Sequence, residues 1–206
     1  MIHYIKGDIT TSDCDFICHQ VNCKGKMNSG VAKAIREKWP QVYDNYKSKC
    51  DERKEAIYNT TSSFEFMPDW SETLLGDIQI CALYDDYFKA DKHQHVVNLF
   101  AQYTYGYDNK QYTSYDAFWQ CLNNLKQCVS EDATIAFPYK VGCVRGGASW
   151  NIIKTMIKEV FKDREIYFYF IDNNILDDDD KIEYMFINHI GMVKGAEWII
   201  HEQENN

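Results

Sequence analysis

The chain has 206 residues, a mass of 24.3 kDa and a formal net charge of -9 at pH 7. This length suffices for one domain with its own hydrophobic core, and the acidic balance argues against general nucleic-acid binding, because phosphate backbones attract basic surfaces. No apolar stretch is as long as a membrane span and the N-terminus lacks a signal-peptide core, so we expect a soluble, cytoplasmic protein without membrane contact.

The N-terminal part of the chain contains two predicted strands and two predicted helices. Ile2–Ile5 is a short strand, and Gly7–Thr10 is the turn that ends it. Phe16–Val21 is a buried strand, followed by a loop of small residues and a helix that runs through Lys38. Pro40 begins a second helix that extends to Cys50, since proline is favoured at a first helical position.

The middle of the chain alternates between polar and apolar segments. Residues 51–71 are polar and mixed, and we expect a surface excursion with a hairpin at 63–66. Ile78–Leu83 and Val96–Phe100 are predicted strands on either side of a charged loop. Residues 112–129 have the apolar periodicity of a long amphipathic helix.

The last part of the predicted domain repeats the order of strand, loop and helix. Thr134–Phe137 is a strand, a second loop of small residues follows it, and a helix extends over Trp150–Phe161 with Ser149 as N-cap. Ile166–Ile171 is an apolar strand. Beyond it, residues 172–206 are expected to form an extension packed on the domain.

Within this extension, Asp177–Asp180 is an acidic run of a kind that is usually solvated. The segments Ile182–Ile190 and Ala196–Ile200 are apolar enough to pack back on the body of the domain. They favour an added strand or helix, or a contact in an oligomer.

The cysteines indicate core positions rather than a metal centre. The eight cysteines are scattered, form no CxxC pair and lie mostly in apolar segments. A zinc site could be imagined from Cys18, His19 and Cys23 together with His93 and His95. Their spacing matches no closed tetrahedral site, so we expect neither a metal nor a cofactor.

Strands that alternate with helices predict an α/β fold with a mostly parallel or mixed sheet between helices. Ligands of such sheets bind outside the carboxyl ends of the strands. The loops Asn22–Gly30 and Gly142–Ser149 each follow a strand and precede a helix, so they should meet at this edge. Free amides at a helix start stabilise phosphate, which makes a diphosphate between the loops the expected ligand. The alternative is a pair of ordinary connections that bind nothing.

Four motifs carry a family resemblance, and in chain order they read GDIT, HQVNCKGKMNSGVAKAI, VVNLFAQ and PYKVGCVRGGASW. Together they resemble the macrodomain family over about residues 1–171. The resemblance implies a three-layer α/β/α fold with a mixed central sheet and a cleft for ADP-ribose. The chain is most similar to a branch with phage and bacterial ADP-ribose 1''-phosphate phosphatase-like proteins, the terminal ADP-ribose protein glycohydrolase and macrodomain antitoxins that reverse DNA ADP-ribosylation.

The resemblance also assigns residues to the ligand. It implies that Asp8 bonds the adenine amino group while the backbone of Ile9 reads the ring, although Asp8 by itself would be taken for a turn former. It places Asn22 against the distal ribose. The first phosphate loop would comprise Gly25, Met27, Asn28, Ser29, Gly30 and Val31. The second would comprise Gly142, Cys143, Val144, Arg145, Gly146, Gly147 and Ala148, with Arg145 either contributing charge or remaining solvated.

The match to catalytic positions of the family is incomplete. Gly146 stands where the glycohydrolase has its catalytic aspartate, and Gln102 stands near the position of the partner lysine. Phosphatase-like relatives often have an aspartate where this chain has Ser149, and a serine cannot act as a carboxylate base near neutral pH. His19 and Asn22 remain as polar residues that could activate or orient a water. The alternative for His19 is a core histidine.

Two function classes follow from these matches and departures. One is a module that captures ADP-ribose or a nucleotide signal derived from it, without efficient turnover. The other is a hydrolase at the distal ribose, such as an ADP-ribose 1''-phosphate phosphatase or an ADP-ribosyl hydrolase. The missing carboxylates favour capture. Gln102, Tyr103, Tyr105 and Tyr107 should overhang the same edge and could stack on a ribose or its substituent.

Overall fold

The computed structural model describes residues 1–60, 69–83, 94–108 and 110–192, and a mixed sheet of six strands forms its centre. The strands are β1 Ile2–Lys6, β2 Phe16–Asn22, β3 Ile78–Ala82, β4 His95–Gln102, β5 Thr134–Pro138 and β6 Glu165–Phe170. Their order is β1-β6-β5-β2-β4-β3. Only the pairing of β3 with β4 is antiparallel among these strands. The predicted hairpin at 63–66 and the segment Ala196–Ile200 lie outside the described residues.

Helices cover both faces of this sheet. They are α1 Gly30–Lys38, α2 Pro40–Thr60, α3 Tyr115–Cys128, α4 Trp150–Val160 and α5 Asp178–Met192. α1 and α2 pack on one face, around Ile17 and Val21 of β2, while α3 and α4 pack on the other, around Cys18. Strand β2 is apolar along most of its length because both faces are buried. The result is the three-layer α/β/α arrangement that the sequence predicts.

Two helix boundaries differ from the sequence prediction by more than one residue. The sequence predicts that α2 ends at Cys50 and that a surface excursion begins at Asp51. This prediction is wrong for residues 51–60, because α2 continues to Thr60 through residues with high helix propensity that form no apolar stripe. Helix α3 begins at Tyr115 rather than Tyr112, because the Ser114 hydroxyl accepts a 3.2 Å hydrogen bond from the amide of Ala117 and caps the helix there.

The C-terminal helix α5 packs beside α4 and β1. The Tyr184 ring meets Phe170 of β6 edge-on, with ring centroids 5.2 Å apart. The expectation of a solvated acidic run is wrong for Asp180, which is fully buried. The sequence alone does not show which aspartate of this run faces the interior of the domain. Among the described residues, no helix has both the length and the apolar character needed to span a bilayer.

Candidate functional site

A cavity of about 400 Å³ opens at the carboxyl ends of β2, β4 and β5. This volume lies in the range of small-molecule sites. Residues of both small-residue loops line it, so the loops meet at one sheet edge as the sequence predicts. The predicted site residues that line the cavity are His19, Asn22, Asn28, Ser29, Gly30, Val31, Gln102, Gly142, Val144, Arg145 and Gly146.

The first loop leads directly into α1, whose first turn borders the cavity. Ser29 is at the N-cap position, but its side chain makes no capping hydrogen bond. Gly30 has a φ of 57°, a left-handed conformation that glycine adopts without strain. The amides of the first helical turn are therefore available to an anion.

Asn22 holds the first loop in shape. Its Nδ2 donates a 2.6 Å hydrogen bond to the carbonyl oxygen of Lys26, and its Oδ1 accepts a 3.0 Å bond from the amide of Lys24. The Tyr46 hydroxyl donates to the backbone oxygen of Asn22 at 2.6 Å. Asn22 borders the cavity, but most of its hydrogen-bonding capacity is used within the loop.

The second loop is a compact turn closed by its own backbone. The amide of Gly147 donates to the carbonyl of Cys143 at 2.8 Å, and that of Ala148 donates to Gly142 at 3.2 Å. The amides of residues 144–146 make no hydrogen bond to any part of the chain that the structure describes. Three successive free amides at the cavity wall form a second place where phosphate oxygens could bind. The start of α4 does not line the cavity, so of the two helices that follow the loops only α1 borders it with its first turn.

A polar cluster fixes the second loop to the sheet. Gln20 Nε2 donates to Gln102 Oε1 and to Thr113 Oγ1, both at 2.9 Å. The amides of Tyr112 and Thr113 donate to the carbonyl oxygen of Gly146 at 2.7 and 2.9 Å. A Cβ at Gly146 would collide with Thr113 Oγ1 and with the Gly142 carbonyl oxygen. Gly146, which the family resemblance aligns with a catalytic aspartate of the glycohydrolase, therefore has no room for a side chain.

The cavity has cationic side chains although the protein is acidic. Lys26, Lys140 and Arg145 line it, and none of its lining residues is Asp or Glu. The Arg145 guanidinium lies 4.7 Å from the centroid of the Tyr107 ring. Lys140 is paired with Asp177, at 2.8 Å between Nζ and Oδ1. The absence of carboxylates from the lining favours an anionic ligand.

His19 lies at the inner wall of the cavity and is 1% exposed. Its Nε2 is 2.6 Å from Asn98 Oδ1, while Asn98 Nδ2 donates to Gln79 Oε1 at 3.0 Å. This network makes Nε2 the protonated nitrogen and leaves Nδ1 as a buried acceptor without a partner in the described chain. Burial lowers the pKa of His19 to about 4, although the hydrogen bond with Asn98 by itself would raise this pKa. His19 is therefore neutral at pH 7.

No family model matches the chain. An ADP-ribose 1''-phosphate phosphatase from Aspergillus oryzae is 32% identical over 117 residues, which cover 51% of this chain and 58% of that protein. The chain thus spans little more than half the length of that relative. The macrodomain of DarG from Mycobacterium tuberculosis superposes with a TM-score of 0.60 at 20% identity, covering 82% of this chain and 97% of that one.

The chain has the macrodomain fold. Another structure with this fold, Thermosipho africanus DarTG in complex with ADP-ribose, has a TM-score of 0.64 at 15% identity and covers 89% of this chain and 44% of that one. The expected resemblance to macrodomains is therefore confirmed.

Several residues expected to bind the ligand lie outside the cavity of this macrodomain. Asp8 caps the short turn Ile9–Thr11, where its Oδ1 accepts a 2.9 Å bond from the amide of Thr10, and Ile9 is buried. Met27 is fully buried beside Val21 and Phe100, so it belongs to the core. The other residues that do not line the cavity are Gly25, Cys143, Gly147 and Ala148.

Each of these four has a structural role in the macrodomain. Gly25 and Gly147 adopt left-handed φ values of 73° and 69° within their loops. Ala148 packs in the main hydrophobic core. The Cys143 thiol points back to the carbonyl oxygen of Val141 at 3.4 Å, and burial raises its pKa to about 12.

Sequence reasoning missed part of the cavity wall. Gln20 shares a strand face with Asn22, and this alternation could have indicated it. Thr113 does not line the cavity but accepts a hydrogen bond from Gln20, and it had no local signal because these two residues are 93 positions apart. Of the three tyrosines after β4, Tyr105 and Tyr107 line the cavity, whereas Tyr103 turns away and hydrogen-bonds Asp69.

Proposed function

We propose that this macrodomain binds ADP-ribose, or a nucleotide derived from it, in the cavity between its two loops. The observation that carries the proposal is the wall of that cavity. Residues 30–32 of α1 and residues 144–146, whose amides have no hydrogen-bond partner in the described chain, line the cavity together with Lys26, Lys140 and Arg145, and no lining residue carries a carboxylate. Such a wall suits a compact polyanion such as a diphosphate.

The remaining wall residues support a sugar nucleotide rather than free pyrophosphate. Gln102, Tyr105 and Tyr107 border the cavity together with the two loops. Tyrosine rings present an apolar face with a polar tip, which suits the edge of a ribose. Asp8 is exposed and follows β1, which β6 separates from β5 in the sheet, so a ligand would have to extend beyond the cavity to reach it.

We further propose capture without efficient turnover. General-base catalysis is most effective when the pKa of the base lies near the working pH. His19 has a pKa of about 4 and is 1% exposed, so its unprotonated Nδ1 is a weak and poorly accessible base, while Asn22 is engaged within its loop. Neither is well prepared to activate a water.

The second candidate function is hydrolysis at the distal ribose. It is favoured by the similarity to a protein named as an ADP-ribose 1''-phosphate phosphatase. If this function operates, His19 and Asn22 are the residues we expect to position water, and replacing both with alanine should lower the rate by about 100-fold or more. Phosphate release from ADP-ribose 1''-phosphate by the wild-type protein, lost in that variant, would replace capture with hydrolysis.

Calorimetric titration with ADP-ribose and AMP tests the binding proposal. We expect ADP-ribose to bind at least about tenfold more tightly, since AMP offers one phosphate and no distal ribose. Arg145→Gln should weaken ADP-ribose by about threefold to tenfold, as expected for one charge-assisted contact. Arg53→Gln is the matched control, because Arg53 pairs with Asp77 away from the cavity. Equal affinity for both nucleotides would contradict the proposal.

A further inference from the structure

Asp180 of α5 contacts both ends of the second loop. The Tyr139 hydroxyl, before the loop, donates to Asp180 Oδ2 at 2.6 Å. The Trp150 indole Nε1, after the loop, donates to the same oxygen at 2.7 Å. The two rings also pack against each other, with centroids 4.8 Å apart. A single carboxylate oxygen therefore fixes the distance between the residues that bracket the loop.

The other oxygen of Asp180 is tied to the body of the domain. Oδ1 accepts hydrogen bonds from the hydroxyl of Tyr4 and from the ammonium group of Lys154, each at 2.6 Å. Lys154 supplies the opposite charge that a fully buried carboxylate needs. With four donors Asp180 is well satisfied, and it connects α5 to β1, to α4 and to the second loop.

A second link from the same helix region reaches the cavity wall. The Asp177 amide donates to the Tyr139 hydroxyl at 2.9 Å, so this hydroxyl has both a donor and an acceptor contact with the C-terminal segment. Asp177 Oδ1 also lies 2.8 Å from Lys140 Nζ. Tyr139 and Lys140 line the cavity, whereas Asp177 and Asp180 do not.

We propose that the C-terminal helix presets the second loop for its ligand and that Asp180 is the positioning residue through which it acts. The inference rests on the proposed function, because the loop amides are taken to bind the diphosphate. An anion site made of backbone amides needs a fixed loop, since ordering the loop during binding would lower the affinity. The extension is thereby part of the binding site, although none of its described residues, 172–192, lines the cavity.

Asp180→Asn tests this proposal, because it keeps the shape of the side chain and removes its charge. We expect hydrogen exchange to become faster in residues 140–149 and to remain unchanged in residues 22–30. The dissociation constant for ADP-ribose should rise by about tenfold, the order of effect expected when preorganisation is lost. Folded Asp180→Asn protein with wild-type exchange in the second loop would overturn the proposal.

Two further variants separate positioning from stability. Tyr4→Phe and Tyr139→Phe each remove one hydroxyl that donates to Asp180, but only Tyr139 adjoins the loop. We expect faster exchange in residues 140–149 for Tyr139→Phe and not for Tyr4→Phe. Equal exchange in the two variants would overturn the proposal, even if Asp180→Asn fails to fold. Because exchange is measured without ligand, this outcome is decided even if the wild-type protein does not bind ADP-ribose.

Discussion

The hydroxyl of Thr113 donates a 2.7 Å hydrogen bond to the carbonyl oxygen of Gly142, which joins the segment before α3 to the second loop. The same hydroxyl accepts a 2.9 Å bond from Gln20 Nε2 on β2. Thr113 is 2% exposed, so these bonds are shielded from water. This buried hydroxyl thus links the second loop to the sheet, together with the backbone hydrogen bonds from Tyr112 and Thr113 to the Gly146 carbonyl oxygen.

Thr113→Val removes this hydroxyl and keeps the side-chain shape. We expect a loss of about 1 to 3 kcal/mol in the free energy of unfolding, because buried polar partners are left unsatisfied. Thr155→Val is the control, since the Thr155 hydroxyl bonds a carbonyl of its own exposed helix turn. Urea denaturation of both variants provides the measurement. Equal stability of the two would show that the Thr113 contacts contribute little.

Gly146→Ala should be poorly tolerated for steric reasons. A Cβ at this position would collide with Thr113 Oγ1 and the Gly142 carbonyl oxygen. Overpacking of this kind costs about 1 to 3 kcal/mol and should shift the loop. Gly7→Ala provides the comparison, because a Cβ there would meet nothing within 4 Å. Thermal melting of both variants checks the prediction, and a Gly146→Ala protein as stable as Gly7→Ala would contradict it.

His19 should make stability depend on pH. Its pKa is about 4 in the folded chain, against 6.5 for an unperturbed histidine, so the unfolded chain binds this proton more tightly. The free energy of unfolding should therefore fall as the pH is lowered from about 6.5 to about 4, by about 3 kcal/mol from this group. Denaturation of wild type and His19→Gln at several pH values isolates the effect. If the free energy of unfolding changes with pH in the same way in both proteins, the prediction is contradicted.

Asp8→Asn separates the two roles considered for Asp8. The substitution preserves an oxygen that can accept the bond from the amide of Thr10, so the turn should remain intact. If the carboxylate also bonds the adenine amino group, the affinity for ADP-ribose should fall by about 1 to 3 kcal/mol. Calorimetry on the folded variant measures this affinity. An unchanged dissociation constant would show that Asp8 stabilises the turn and does not contact the adenine.

Much of the fold could be predicted because its signals are local. Strand β2 and helix α1 are recognisable from apolar runs and spacing within about twenty residues of sequence. The two loops were located for the same reason, since small residues between a strand and a helix form a contiguous pattern. The C-terminal half of α2 was missed because a solvent-facing helix has no apolar stripe to reveal it.

The details of the site depend on contacts that no local pattern contains. Met27 lies within a loop motif, yet its side chain faces the core beside Phe100. Gln20 and Thr113 come together across 93 positions of sequence. The inward turn of Asp180 depends on how α5 packs beside α4. The residue types of the loops were predictable, whereas the framework that holds them was not.

Hydrogen exchange with and without ADP-ribose tests the central claim most directly, because it reports on both loops in one experiment. We expect saturating ADP-ribose to slow exchange in residues 28–32 and in residues 142–147 together, since a diphosphate between the loops would occupy the amides of both. AMP at the same occupancy should slow exchange more in one loop than in the other. Binding of ADP-ribose that protects neither loop, or protects one of them alone, would contradict the account.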